Sequence, residues 1–432
     1  MALTYDEALE YILSARQYNS KPGLLRIQNL LREMGNPEKT MKYVHVAGTN
    51  GKGSAVAMVG SVLKHVGFRT GMFISPYLER FNERMQINGE PISDEALALL
   101  TDKVITHIDS MVKKDLLPPS FFEMVTAMAF DYWMQEKCDY VSLEVGMGGE
   151  FDATNVIEAP AVAIITSISL DHTAHLGNTL SEIAFTKCGI VKPGSHVICY
   201  AEQPDEARTV IKRICHERGA EFIQPDATAV EVISDGIYGT KFRYKGIETT
   251  VPLMGRHQII NAIGVIEAMR ALQVRGENIT DEDIALGIAE TEWVGRLEVV
   301  SENPFCVIDA AHNPDAVKVL CDSIDKLFSG CEIVGVMGIL GDKDYEKCIP
   351  EIAKRCKTLI TTTPTSTRAL PAAETAEIAG KYCSDVETIE DICEATDRAL
   401  ELAKDGKMVL ICGSLYIIGI AKTHIRQKYD KG

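Results

Sequence analysis

Lys42-Tyr43-Val44-His45-Val46-Ala47-Gly48-Thr49-Asn50-Gly51-Lys52-Gly53-Ser54 is the stretch on which the reading of this chain turns. KYVHVAG, from Lys42, reads as a buried strand of β-branched and apolar residues. SAVAMVGSVLKHVG, from Ser54, reads as a helix ending near Gly67. The turn between them is rich in glycine and carries a lysine, then a hydroxyl residue. Glycines let backbone approach phosphate oxygens, and the N-terminus of the following helix adds unpaired N–H groups and a positive dipole. Lys52 would then supply a point charge for the β/γ-phosphates and Ser54 a ligand for magnesium. The spacing is not that of the general phosphate loop. Gly48 stands three residues before Gly51, and an extra Gly53 separates Lys52 from Ser54. A strand-to-helix turn without a ligand is the competing reading; the lysine and the two flanking elements favour the phosphate site.

Outward from this stretch, CDYVSLEVG (from Cys138), PAVAIITSIS (from Pro160) and SHVICY (from Ser195) are further apolar runs separated by helical stretches. Such runs predict a parallel sheet covered on both faces. EVISDGIYGTKFRYKGIETTVPL, from Glu231, alternates apolar and polar residues around glycine turns. It predicts antiparallel hairpins inserted at the edge of that sheet. After Trp293 the strand–helix alternation restarts with FCVIDA, CEIVGVMGI, TLITTT and KMVLICGS. This second set spans roughly 135 residues, the size of one domain. The boundary is expected near Val294–Val299, and a cleft between two α/β domains is the default ligand site.

Composition narrows the function. The chain of 432 residues is 46% hydrophobic and 24% charged, with 33 Gly and 16 Pro. These are ordinary globular values that exclude a disordered tail, a collagen-like rod or a disulfide-stapled miniprotein. No window reaches the ~18 consecutive apolar residues of a membrane span. The N-terminus MALTYDEALEYIL carries Asp6 and Glu7 and lacks the basic segment of a secretory signal. A soluble, cytoplasmic protein without a membrane partner is expected, and a monomer. Lys and Arg total 44 against 61 Asp and Glu, a net charge of −17, which argues against nucleic acid as a partner. Anionic substrates would need local positive potential from Lys, Arg, helix N-termini or a metal. The 12 cysteines, from Cys138 to Cys412, include no pair separated by only two residues, so zinc and redox signatures are missing.

Four further positions look chemical. Glu144 ends an apolar strand before the turn Val145-Gly146-Met147-Gly148-Gly149. Carboxyl ends of parallel strands face the ligand crevice, so Glu144 should point at the phosphate loop as a magnesium ligand. Asp171 and His172 follow another strand in the same way. Lys187 lies on a mostly apolar helical stretch, Ile183 to Ile190. Burial there would depress its pKa and favour the neutral, nucleophilic amine.

Together these segments resemble folylpolyglutamate synthase and dihydrofolate synthase, a branch of the Mur ligase superfamily. The resemblance runs from about Leu24 to about Ser414 and rests on eight segments in the family's order. They are HVAGTNGKGS (from His45), FISPYLERFNERMQING (from Phe73), SLEVGMGGEFDATNV (from Ser142), SISLDHTAHLG (from Ser167), KCGIVKPG (from Lys187), GRHQIINA (from Gly255), VGRLEVV (from Val294) and VIDAAHNPDA (from Val307). The resemblance implies an α/β protein with an N-terminal P-loop ATPase-like domain at 1–295 and a smaller, Rossmann-like glutamate-ligase domain at 296–432. It implies an enzyme that uses ATP to join L-glutamate to a folate or to dihydropteroate. Gly48, Thr49, Asn50, Gly51, Lys52, Gly53 and Ser54 would hold the phosphates. Ser54, Glu144 and His172 would coordinate two magnesium ions, partly through water, and Lys187 would be carbamylated. Asn261 and Arg296 would contact the nucleotide, with Asp309 and His312 of the second domain closing over it. Ser75, Pro76, Tyr77, Phe122, Glu123, Asp152, Ala153 and Thr154 match segments near the pterin. The alternative for Asp309 is a cap on the helix beginning near Asn313-Pro314.

The sequence departs from the family pattern at Tyr77 in place of His, Glu150-Phe151 in place of Arg-Leu, Thr186 in place of Glu, Val294 in place of Pro, and Ala310 in place of Gly. None of these removes the phosphate-loop lysine, Arg296 or a metal ligand that the resemblance implies. They bear on the choice of substrate. Two other readings compete. A cell-wall Mur ligase would need a uridine-nucleotide domain before the loop, where only about 45 residues stand, too few for a domain. A non-catalytic nucleotide switch would have no use for Lys187, Asp309 or His312.

Overall fold

The computed structural model describes residues 3–15, 23–404 and 406–429. Its first unit is built on eight strands: β1 (Lys42–Ala47), β2 (Thr70–Phe73), β3 (Met85–Ile87), β4 (Glu90–Pro91), β5 (Tyr140–Glu144), β6 (Val162–Ile165), β7 (His196–Cys199) and β8 (Glu221–Ile223). They are ordered β4-β3-β2-β5-β1-β6-β7-β8. From β2 to β8 every pairing is parallel, while β3 and β4 are antiparallel additions. β1 is central, with Val44 opposite Ser142 on one side and Val162 on the other. A central strand covered on both faces has no polar side to show, which is why it reads as a continuous apolar run. β2, β3, β4 and β8 have two to four residues each and carry no pattern long enough to read from sequence.

The alternating segment after Glu231 does form hairpins: β9 (Val230–Gly236), β10 (Gly239–Tyr244) and β11 (Ile247–Val251). Lys245 (φ 45) and Gly246 (φ 92) supply the two left-handed positions of a tight hairpin turn. The expected location, however, is wrong. These strands make a separate sheet, β11-β10-β9, and β8 remains the edge of the large one. The reason lies in the alternation itself. β10 buries Thr240, Phe242 and Tyr244 and exposes the residues between them, so it suits a sheet with one wet face and not a sheet covered on both.

The second unit has β12 (Glu298–Glu302), β13 (Phe305–Asp309), β14 (Ile333–Met337), β15 (Cys356–Thr361), β16 (Val386–Thr388) and β17 (Met408–Cys412). Their order is β12-β13-β17-β14-β15-β16, parallel except for β12. The four apolar runs of the sequence are its four central strands. The half-exposed edges β12 and β16 were not legible. The units do not divide at a single cut. The first takes the described residues within Met1–Glu231, Arg243–Thr249 and Ile260–Glu292. Val232–Phe242, Thr250–Ile259 and the residues from Trp293 onward belong to the second. Among the described residues no helix is long and apolar enough to cross a membrane.

Candidate functional site

In the first unit the loop after β1 is strapped to the segment after β6. The Thr49 amide donates to the Ser167 carbonyl at 2.7 Å, and the Thr49 hydroxyl and the Ser169 backbone exchange hydrogen bonds at 3.1 Å. No side chain larger than glycine fits at Gly48, where a Cβ would lie 1.8 Å from Thr166 Oγ1. Gly51 (φ 86) sets the left-handed turn into the helix Lys52–Val66, and a Cβ there would lie 2.8 Å from Asn261 Oδ1. Asn261 therefore borders the loop. The helix has no side-chain cap and no acid in its first turn. Its first N–H groups are thus not covered by a cap, as an anion site requires.

Two lysines converge on this loop. Lys52 Nζ donates to the carbonyls of Gly48 and Thr49, both at 3.2 Å. Lys187 Nζ donates to the same Gly48 carbonyl at 2.7 Å and is buried. Burial first, and then the neighbouring Lys52 charge, pull the Lys187 pKa down to about 7, against opposing pulls from Asp171 and Asp152. Two ammonium groups around one carbonyl oxygen leave an excess of positive charge that polyphosphate would neutralise. That excess, the uncapped helix and the glycine fit make the loop suitable for a nucleotide.

The expected metal ligands are less concentrated. Ser54 is buried in the first helical turn, and Glu144 is buried at the carboxyl end of β5, accepting the Ser75 amide at 3.0 Å. His172 (φ 51) has an exposed side chain with Nε2 4.0 Å from Asp171 Oδ2. Among the described residues no group of three or more His, Cys, Asp or Glu side chains could hold a metal. The described residues therefore do not build a zinc-type cage. A hydroxyl and one carboxylate do fit magnesium, which keeps waters and takes substrate phosphates as ligands.

The residues expected near the pterin fall into two groups. Tyr77 stacks edge-on to Phe81 at 5.9 Å, with the Arg84 guanidinium 5.3 Å from its ring centre. It follows Ser75 and Pro76 after β2. Phe122 packs on Phe73 and would meet a Cβ at Gly146 within 2.5 Å. Glu123 caps its own helix, Phe121–Gln135, by accepting the Ser120 amide at 2.7 Å. Asp152 is buried, accepts from the Met147 amide at 2.9 Å and from the Thr154 amide and hydroxyl at 3.0 and 2.6 Å, and precedes the turn Ala153–Val156. Burial raises its pKa, opposed by these hydrogen bonds. Sequence reasoning passed over His45. Its Nε2 lies 2.9 Å from Thr154 Oγ1, and burial drives its pKa down to about 3. An imidazole in the middle of an apolar strand was the available signal.

In the second unit Gly295-Arg296-Leu297 and Asp309-Ala310-Ala311 form one knot. Asp309, buried, accepts the Leu297 amide at 2.8 Å and the Ala311 amide at 2.7 Å, and the Ala310 amide donates to the Gly295 carbonyl at 3.1 Å. Burial raises the Asp309 pKa, and the Arg296 charge opposes the rise. His312 Nδ1 is 2.8 Å from the Ala310 carbonyl oxygen. The capping alternative for Asp309 is incorrect. Asn313 is the cap of the helix Pro314–Leu327, accepting the Ala316 amide at 2.9 Å.

Comparison with known proteins accords with this geometry. Residues 46–269 match the Mur ligase middle domain, and residues 295–415 match the Mur ligase glutamate ligase domain. The chain is 35% identical to the dihydrofolate synthase/folylpolyglutamate synthase of Bacillus subtilis, covering 99% of this chain and 100% of that one. It is 34% identical to the folylpolyglutamate synthase of Lacticaseibacillus casei, covering 86% and 88%. Among solved structures, Mycobacterium tuberculosis folylpolyglutamate synthase complexed with ADP and AMPPCP is similar with a TM-score of 0.87, 30% identity and coverage of 97% and 98%. E. coli FolC in complex with DHPP and ADP is similar with a TM-score of 0.87, 27% identity and coverage of 99% of both chains.

Proposed function

This chain belongs to the Mur ligase family, in its folylpolyglutamate and dihydrofolate synthase branch, and from that premise we propose how its residues perform an ATP-dependent ligation of L-glutamate to a carboxylate of a folate or of dihydropteroate. A carboxylate resists amines because its leaving group would be oxide. Transfer of the γ-phosphoryl group of ATP to one carboxylate oxygen gives an acyl phosphate and ADP. The α-amino group of glutamate then attacks the acyl carbon, and the tetrahedral intermediate collapses to the amide with loss of phosphate and a proton.

Phosphoryl transfer depends on positioning and charge neutralisation. Lys52 and the N–H groups of Gly48 to Ser54 hold the phosphates, while Asn261 and Arg296 contact the nucleotide. Ser54 and Glu144 would hold one magnesium ion, and His172 would serve a second. Magnesium, when bound, neutralises the phosphate oxygens that carry the developing charge. Lys187, with its pKa near 7, has enough neutral amine to attack carbon dioxide, form a carbamate and release a proton. The product is a carboxylate-like group beside Lys52, which relieves the repulsion between the two ammonium groups. Asp309 and His312 act on the nucleotide-bound enzyme. The pteridine end is held by Ser75, Pro76, Tyr77, Phe122 and the Asp152–Thr154 turn, with Glu123 shaping that surface through its cap.

The observation that carries this reading is the pair of lysines on the Gly48 carbonyl at an uncapped helix N-terminus. The test is ADP formation measured with and without glutamate, using dihydropteroate and then tetrahydrofolate as acceptor. ADP release should require glutamate and an acceptor together, and the acceptor that sustains turnover identifies the substrate. ATP hydrolysis indifferent to both would be the behaviour of a nucleotide switch and would overturn the ligase assignment.

A further inference from the structure

His45 has no place in the chemistry above, yet it is fully buried in the central strand of the larger sheet. Tyr43, His45 and Ala47 share one face of β1, because side chains alternate along a strand. Tyr43 belongs to an apolar cluster with Val141, Leu143, Phe130 and Trp133. Ala47 belongs to a different one with Ala163, Ile165, Val197 and Ile183. His45 stands between the two, where an apolar residue would join them. Burying an imidazole there costs free energy unless its polar atoms are used.

One of them is. His45 Nε2 lies 2.9 Å from Thr154 Oγ1, which lies 2.6 Å from Asp152 Oδ1. The direction of the chain follows from the donors. Asp152 already accepts the amides of Thr154 and Met147, so it acts as a carboxylate, and the single Thr154 hydroxyl proton points to it. The Thr154 oxygen must then accept from His45 Nε2–H. This tautomer leaves Nδ1 as a bare acceptor, and Nδ1 is the buried His45 atom without a partner. The opposite direction would strand a buried N–H donor, the rarer and costlier defect. Burial keeps the ring neutral, with its pKa near 3.

We infer that His45 is a positioning residue for the acceptor substrate: through the Thr154 hydroxyl it fixes the Asp152 carboxylate, and with it the turn from Gly146 to Thr154, relative to the phosphate loop three residues further along its own strand. This rests on the reading that the Asp152–Thr154 turn lines the pteridine end. A carboxylate held from one side by Thr154 and from the other by the Met147 amide has one orientation. Without the imidazole donor the Thr154 oxygen loses the group that fixes its hydroxyl rotor, and the carboxylate is held less firmly on that side. The expected effect is on acceptor binding and not on ATP.

The test compares His45→Phe, which keeps the ring volume without the donor, with His45→Gln, whose amide N–H reaches the position of Nε2. Steady-state constants are measured for ATP, glutamate and each of tetrahydrofolate and dihydropteroate, alongside melting temperature. His45→Phe should raise the acceptor KM about tenfold, the worth of one well-formed hydrogen bond, with the ATP KM within twofold. His45→Gln should recover most of that loss. Equal KM values for His45→Phe and the native protein, or a rise that His45→Gln does not reduce, would overturn the inference. Asp152→Asn separates the positioning role of His45 from the placement of the pteridine end. If it leaves the acceptor KM unchanged, the placement of the pteridine end is wrong. If it raises KM and His45→Phe does not, only the positioning role is lost.

Discussion

The first unit after β1 and the second after β13 use the same local plan, a buried parallel strand, a short turn and a helix. They reach opposite electrostatic results. After β1 the helix Lys52–Val66 begins at a glycine with no side-chain cap, and two lysines crowd the turn. After β13 the helix Pro314–Leu327 begins at Asn313, whose side chain takes up a first-turn amide, with Pro314 removing another donor and Asp315 adding a negative charge. The buried Asp309 carboxylate consumes one more amide of its own turn, that of Ala311, and also the Leu297 amide ahead of β12. A strand-to-helix turn thus keeps its first amides open to an anion only where the cap is left out. Where the cap is present, the turn offers acceptors, suited to donors or cations.

The comparison can be broken in four places, from the largest expected effect to the smallest. Lys52→Ala should lower turnover by at least ~1000-fold, about 4 kcal/mol of transition-state stabilisation, with native circular dichroism. Near-normal turnover in that variant would remove the phosphate-loop assignment. Asp309→Asn should cost about 100-fold in rate per folded molecule, about 2.7 kcal/mol. It should also lower stability by about 1–3 kcal/mol, because an amide nitrogen would face a backbone donor that now meets a carboxylate oxygen. A stability loss without a rate loss would reduce Asp309 to a scaffold residue.

Lys187 gives the third test, through pH. Its folded pKa, about 7, lies below the ordinary 10.5, so between these values the unfolded chain binds a proton that the folded chain does not. Its contribution to stability therefore rises with pH across that window, by up to about 1.4 kcal/mol per pH unit. Measured in carbon dioxide-free buffer, the stability advantage of Lys187→Met over the native protein should shrink by about 2 kcal/mol between about pH 7 and pH 9. A pH-independent difference would mean that the amine is not titrating in this range. Replacing Lys52 by Ala removes a neighbouring charge and should move the onset to higher pH. The smallest effect is expected at Asn313→Ala, about 1 kcal/mol of stability, with kcat and KM unchanged. A loss of activity there would show that the second turn does more than present Asp309 and His312.

Much of this was legible in the sequence, and the reasons differ by residue. The four apolar runs of each unit, the glycine-rich turn after β1 and Lys187 in its apolar helix are local signals. Covered strands must be apolar along their whole length, close backbone approach demands glycine, and a lysine among apolar residues stands out wherever the chain runs. Edge strands such as β12 and β16, and the two-to-four-residue strands β2, β3 and β4, exist only because a neighbour pairs with them, so no pattern within them could reveal them. The alternation after Glu231 specifies hairpins with one wet face but not which sheet they join, and they form a sheet of their own. Tertiary structure alone decided that Lys52 and Lys187, 135 positions apart in the chain, share the Gly48 carbonyl, that Asp309 answers the Leu297 amide, and that His45 reaches Asp152 through Thr154. A hydrogen bond or a charge pair depends on distance in space, and sequence separation carries no record of it.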